Sequence, residues 1–414
     1  MARQMKDSGV EWIGEIPADW EVIPHKYIMH KEKEICDKYN NEDIISLTMN
    51  GVIVRDLVNP IGKMPATFDG YQKVYAGNLL MCLFDIDVTP RCIGYIRNNG
   101  LTSPAYSQFV VDNCNHAQYY NYLLRMIDDG KYFLHLSKNL RSSLTEENFG
   151  IIKTVKPPIK DQKRIADFLD EKIGEIDTVI AKTKETIEDY KKYKQAIINE
   201  IIQNENDFKY KFRYLGELKN GLNYHSVAEK ESVKFLGVGN FKDFMILNKR
   251  ESFSDLSIDT ELPDEYLLRN GDIIFVRSNG SKDLVGRSVM VDNIDFKLTY
   301  SGFCIRFRNE HTELVSNNYL LYFFRSESFK QLLYAGSDGM AINNLSQDIL
   351  NSVKIPTPSI KSQDSIVKYL DEKCSEIDKL IAKKEELLVD LEDYKKSFIY
   401  EYVTGKKEVV QEKG

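Results

Sequence analysis

The chain has 414 residues, 42% of them hydrophobic and 29% charged, which is too long for one ordinary core and points to a soluble globular protein of two or more domains. Its net charge of −7 and pI near 5.6 exclude the bulk basic excess of a stand-alone nucleic-acid binder, and no apolar run reaches the roughly 20 residues that span a bilayer. Six scattered cysteines without a CxxC pair fit neither a zinc site nor a disulfide framework, and His25 and His30 are merely the nearest of six dispersed histidines, so no metal is expected.

The N-terminus, "MARQMKDSGVEWIGEIP", has no signal-peptide core, so a cytoplasmic location is expected. Residues 1–155 read as mixed α and β. "VYAGNLLMCLFDI" and "RCIGYI" predict strands, and "AQYYNYLLRMIDDG" predicts a helix behind them. This segment holds 16 basic against 19 acidic residues. Residues 156–204 form a long helix that opens after "KPPIKDQ", where proline ends what precedes it.

Residues 205–355 repeat the order of the first segment, with 19 basic and 21 acidic residues. "LLRNGDIIFVRS", "RSVMVDN" and "SGFCIRFR" predict strands, and one helix is expected over "SNNYLLYFFRSESFKQLLYAG". The endings of the two segments correspond as well, "RSSLTEENFGIIKTVKPPI" against "INNLSQDILNSVKIPTPSI". A second long helix occupies 356–405, and a charged tail occupies 406–414.

Residues 159–202 and 360–403 are identical at 20 of 44 positions without a gap, so the chain contains an internal duplication. Steps of four and three mark a heptad seam: Leu169, Ile173, Ile176, Ile180, Ile187, Ile197 and Ile201 in the first copy. The second copy gives Leu370, Ile377, Ile381, Leu388, Leu391 and Phe398. Both seams are interrupted by polar residues at matched places, Thr183/Lys384 and Lys194/Lys395, a pattern that fixes register and partner choice. A 44-residue helix is roughly 66 Å long and would leave its seam in water unless the two copies pack on each other.

No catalytic constellation is present: no GxxxxGK[ST], GxGxxG after a strand, HExxH or GxSxG, and the only Pro-Pro lies in "KPPIK". A repeated frame carrying two different loop sets suits recognition better than reaction. Either a DNA reader or a non-catalytic coiled-coil scaffold binding proteins satisfies that pattern.

Over nearly its whole length the chain resembles the specificity (S) subunit of type I restriction–modification enzymes. The resemblance rests on "MKDSGVEWIGEIPADWEV", "INNLSQDILNSVKIPTP" and the paired "QKRIADFLDEKIGEID" and "QDSIVKYLDEKCSEID", in that half-chain order. It implies an α+β fold of two similar target recognition domains, joined by two long helices packed as an antiparallel coiled coil with pseudo-twofold symmetry. It implies a non-catalytic subunit that reads double-stranded DNA, each domain taking one half of a bipartite asymmetric site across a fixed gap. Its partners would be two methyltransferase (M) subunits and translocase-nuclease (R) subunits; S-adenosylmethionine, ATP and Mg2+ are expected in those partners and no cofactor in this chain.

Base edges are read chiefly by Arg, Lys, Asn and Gln. In the second domain "FVRSNGSKDLVGRS" gathers Arg277, Ser278, Asn279, Ser281, Lys282 and Arg287 around Gly280 and Gly286. The region taken as its counterpart in the first domain offers Arg91, Tyr95, Arg97, Asn98 and Asn99. Lys138, Asn139 and Arg141, and likewise Asn343 and Asn344, are candidates on the segments leading to the long helices.

Overall fold

The computed structural model describes residues 3–409 except 50, 61, 63, 90, 138–141, 206, 224–231, 242–244, 259–261, 282–283 and 337–343. Packing divides the chain into two units, Met1–Lys184 with Glu386–Gly414, and Glu185–Glu385. The long helices begin at Ile159 and Ile360, shortly after the expected boundaries at 156 and 356, and the packing units divide both helices in mid-course.

The first unit is built on a four-stranded antiparallel sheet. Its strands run in the order Ile93–Tyr95, Leu79–Met81, Ser107–Val111 and Met29–Glu32. The central strand, "LLM", is buried on both faces, which explains its continuous apolar run. Helix Ala117–Asp129 covers the sheet with Tyr119, Tyr120, Leu123, Leu124 and Ile127. The second unit repeats this frame with five strands, Gly216–Asn220, Cys304–Asn309, Ile273–Val276, Ser288–Val291 and Ile246–Leu247; only the last pair is parallel.

One expected element of the second unit is in fact two. The helix over 316–336 breaks at Ser326 into Asn317–Arg325 and Glu327–Gly336. The fully buried Ser326 hydroxyl donates to the Phe323 carbonyl at 2.7 Å and accepts from the Phe329 N–H at 3.2 Å. A serine that caps a new helix in this way ends the preceding one.

The long helices are Ile159–Gln203 and Ile360–Val403. In the first unit the start of the first helix (Ile165, Leu169, Ile173) shares a core with the end of the second (Ile399, Val403), and Phe168 stacks on Phe398 at 5.9 Å. In the second unit the end of the first helix (Ile197, Ile198, Ile202) shares a core with the start of the second (Leu370, Cys374, Ile377). The pairing is therefore antiparallel in each unit. Leu169, Ile173, Ile180, Ile187, Ile197, Leu370 and Ile377 are buried, and Ile176, Ile201, Ile381, Leu388, Leu391 and Phe398 are half-buried.

Of the two polar interruptions of the seam, Thr183 bonds back to the Val179 carbonyl of its own helix at 2.8 Å, whereas the Lys194/Lys395 pair forms reciprocal ion pairs. Lys194 reaches Asp378 at 2.7 Å, and Lys395 reaches Asp177. Residues 177 and 378 occupy the same place in the two copies, as do 194 and 395, so each aspartate holds the lysine of the other helix.

Candidate nucleic-acid interface

Each domain is fixed to its long helix by the same two contacts. The buried Gln162 accepts the N–H of His116 at 2.8 Å and donates to the Pro157 carbonyl at 2.8 Å. Gln363 does the same to Ser316 and Pro358, both at 2.8 Å. Tyr122 donates its hydroxyl to Asp170 at 2.6 Å, and Tyr322 donates to Asp371 at 2.6 Å. Burial, reinforced by these bonds to carboxylates, keeps both phenols protonated far above their ordinary range.

The loops held by this frame differ. In the second unit, strands Ile273–Val276 and Ser288–Val291 form a hairpin whose connection carries Arg277, Ser278, Asn279, Ser281 and Arg287. The turn 301–303 supports its near end: Arg277 N–H donates to the Phe303 carbonyl at 2.8 Å. The lead-in to the second long helix lies alongside, since Leu345 N–H donates to the Arg277 carbonyl at 2.7 Å and Ser278 bridges Asn344. The turn at Leu222 completes the cluster, its carbonyl accepting the Gly302 N–H at 2.9 Å. Four stretches distant in sequence thus meet at one edge, and the sequence-selected Arg277, Ser278, Asn279 and Asn344 stand together. Lys282 and Asn343 lie outside the described residues.

Charge state distinguishes the cations available for a ligand from those used in folding. Arg306 and Arg308 are bound to Glu217 and Asp272. Among the described residues no ion pair reaches Arg277 or Arg287; their guanidinium groups touch only the Gly302 and Phe241 carbonyls, at 3.5 and 3.3 Å. Asn279 accepts the Ser281 N–H at 2.8 Å, which shapes the loop tip.

The first unit corrects two expectations. Arg91 turns inward, only 10% exposed, and bonds to Asp129 at 3.1 Å and to the Met49 carbonyl at 3.1 Å. It anchors the hairpin to the end of helix Ala117–Asp129, where burial raises the Asp128 carboxyl and the Cys92 N–H and Arg91 charge pull it back. Arg91 is therefore a folding residue. The second correction concerns equivalence. The counterpart of the 277–287 connection is 82–92, closed by the Cys82 N–H to Cys92 carbonyl bond at 2.8 Å. Tyr95, half-buried, and the exposed Arg97, Asn98 and Asn99 belong to the following loop, where Asn99 accepts the Ala76 N–H at 2.8 Å.

The lead-in to the first long helix does meet the 82–92 loop. Leu144 N–H donates to the Leu83 carbonyl at 2.8 Å, and Ile86 N–H donates to Ser142 at 3.1 Å. Lys138, Asn139 and Arg141 lie outside the described residues. The sequence reading missed the exposed apolar residues of these loops: Phe84 and Val88 in the first unit, Leu222 and Phe303 in the second. A phenylalanine in a Ser-Gly-Phe turn was the available sign for Phe303. Among the described residues no group of three or more His, Cys, Asp or Glu side chains is arranged to hold a metal ion, and no described helix is long and apolar enough to cross a membrane.

Residues 215–388 match the model of the Type I restriction modification DNA specificity domain. The specificity subunit of the StySPI type I restriction enzyme of Salmonella potsdam is 28% identical over 134 residues, which cover 32% of this chain. That of EcoKI from Escherichia coli K12 is 27% identical over 135 residues, 33% of this chain. Each alignment spans 28% of the relative's own length. A chain from a solved type I R-M system, studied for its complex assembly and conformational transition, superposes with a TM-score of 0.70 at 14% identity, covering 95% of this chain and 99% of that one. The HsdS subunit from Thermoanaerobacter tengcongensis superposes with a TM-score of 0.50 at 14% identity, covering 95% and 98%. The domain match includes the hairpin cluster of the second unit, and the fold is shared over 95% of the chain with a chain from a solved type I R-M system.

Proposed function

We propose that this chain is the DNA sequence-specificity subunit of a type I restriction–modification complex, each target recognition domain reading one half of a bipartite, asymmetric site. One observation carries the reading. The contacts that fix each domain to its helix are repeated residue for residue, Gln162 and Tyr122–Asp170 against Gln363 and Tyr322–Asp371, while the loop clusters they hold up are different. One frame with two loop sets presents two distinct readers, and the paired helices fix the unread gap between their half-sites.

The same helices offer a surface for two copies of one partner. Off the seam, Glu171, Glu185, Asp189 and Tyr193 are exposed, and so are their identical counterparts Glu372, Glu386, Asp390 and Tyr394. Identity kept at solvent-facing positions of the two copies supports docking of two methyltransferase subunits. The chain itself performs no chemistry in this reading. S-adenosylmethionine acts in the methyltransferase subunits, ATP and Mg2+ act in the translocase-nuclease subunits, and the assembly works on cytoplasmic DNA. With phosphate neutralisation shared among subunits, a net charge of −7 is compatible with DNA binding.

Methylome mapping of the host with and without the chain tests the proposal. The expected outcome is a bipartite methylated motif that disappears with the chain. Retardation of DNA by the co-expressed complex should remain sequence-selective at moderate salt, where phosphate contacts are screened. An unchanged methylome together with sequence-independent retardation would refute the reading in favour of a protein-binding scaffold.

A further inference from the structure

Two glycines line the close approach of two turns of the second unit, and at Gly221 the facing atom is backbone. A Cβ on Gly221 would lie 2.2 Å from the Ser301 carbonyl oxygen, and one on Gly302 would lie 2.5 Å from Asn223 Oδ1. The approach is closed by the Gly302 N–H to Leu222 carbonyl bond at 2.9 Å, and Ser301 Oγ accepts the Phe303 N–H at 3.2 Å. The Phe303 carbonyl in turn accepts the Arg277 N–H at 2.8 Å. A backbone fixed on both sides leaves the Phe303 side chain 56% exposed, and Leu222 of the paired turn is 37% exposed. Among the described residues no phenylalanine is more exposed, whereas Phe275 and Phe307 of the same sheet are fully buried.

The neighbours of this apolar pair are Arg277, Ser278, Asn279 and Asn344. Arginine and asparagine pair with guanine and adenine edges in the major groove, the one groove that also displays the thymine 5-methyl group. We propose that Phe303, flanked by Leu222, is a specificity-determining residue of the second domain that contacts a thymine methyl group in the major groove. This inference rests on the DNA-reading function proposed above. The first unit has Ser103, Pro104, Ala105 and a half-buried Tyr106 at the corresponding turn, so the contact belongs to one half-site only.

The test uses the full chain in complex with its methyltransferase subunits, on duplexes carrying the mapped motif with single thymines replaced by deoxyuridine. In the wild type, one replacement within one half-site should weaken binding roughly 3- to 5-fold, the worth of one methyl removed from an apolar contact. Phe303→Ala should bind the thymine duplex roughly tenfold more weakly and treat thymine and deoxyuridine alike, and Phe303→Leu should recover part of the discrimination. Replacements in the other half-site should act equally on wild type and variants. A Phe303→Ala complex that binds as tightly as wild type, or that still discriminates thymine from deoxyuridine, overturns the inference, as does a half-site made only of G and C. Equal weakening on every duplex, with 2-aminopurine unstacking in the wild type alone, overturns the methyl contact in favour of insertion between bases. Loss of all sequence-selective binding by the wild-type complex instead overturns the functional reading itself.

Discussion

Replacing Asp177 with asparagine removes the carboxylate from Lys395, whose side chain is only 7% exposed. Burial and the nearby Arg125 already push the Lys395 ammonium below its ordinary pKa, with Asp177 opposing them. Removing one partner of a buried pair costs about 3–5 kcal/mol. Asp177, however, is 52% exposed, so water shares the load, and the cost falls to about 1–2 kcal/mol. The equivalent pair of the second unit behaves differently. Lys194 is 30% exposed and Asp378 is 56% exposed, so Asp378→Asn should cost about 0.5 kcal/mol or less. Both tryptophans, Trp12 and the fully buried Trp20, lie in the unit that contains Asp177 and Lys395. Tryptophan fluorescence during thermal unfolding therefore reports that unit alone. At 2–4 °C per kcal/mol for a unit of this size, Asp177→Asn should lower the tryptophan-detected midpoint by roughly 2–8 °C. Asp378→Asn should leave it in place. An unmoved tryptophan-detected transition in Asp177→Asn, or a calorimetric loss of stability in Asp378→Asn as large as that in Asp177→Asn, would refute the claim that burial rather than position in the repeat sets the worth of each pair.

Gln162→Ala and Gln363→Ala each leave a helix-capping N–H, of His116 or Ser316, without its partner. Each should cost about 2–3 kcal/mol in thermal unfolding, and a loss below about 0.5 kcal/mol would contradict the anchoring role. Burial pushes the His25 imidazole down from 6.5 to about 4, so the folded state keeps it neutral while the unfolded chain takes up the proton. Its contribution to stability is present above pH 6.5 and is lost as pH falls toward 4, by about 3 kcal/mol in all. The tryptophan-detected stability of His25→Leu should fall less steeply than wild type across that window, and parallel curves would contradict the assignment. Gly221→Ala places a Cβ against the Ser301 carbonyl and should relax recognition at one half-site of the methylated motif while the other stays intact. Methylation sequencing reads this, and an unaltered motif would show that the paired turns lie outside the interface.

Periodicity is a relation between neighbours along the chain, and so the seam from Leu169 to Ile201, the helix after each proline pair and the 201-residue repeat were legible in the linear order. The apolar run of Leu79–Met81 and the strand–strand–helix sequence of each domain were legible for the same reason. The break at Ser326 was not, because helical propensity continues across it and only a buried hydroxyl with two backbone partners ends the turn. The candidate site was legible only in part. Arg91 and Arg277 look alike in sequence, yet one meets Asp129, 38 residues later, and the other finds only carbonyls. The exposure of Phe303 depends on Leu222, 81 residues earlier, approaching through two glycines. Which charges are neutralised and which rings face water depends on pairings between distant segments, and these acquire a definite geometry only when the sheet closes and the turns pack.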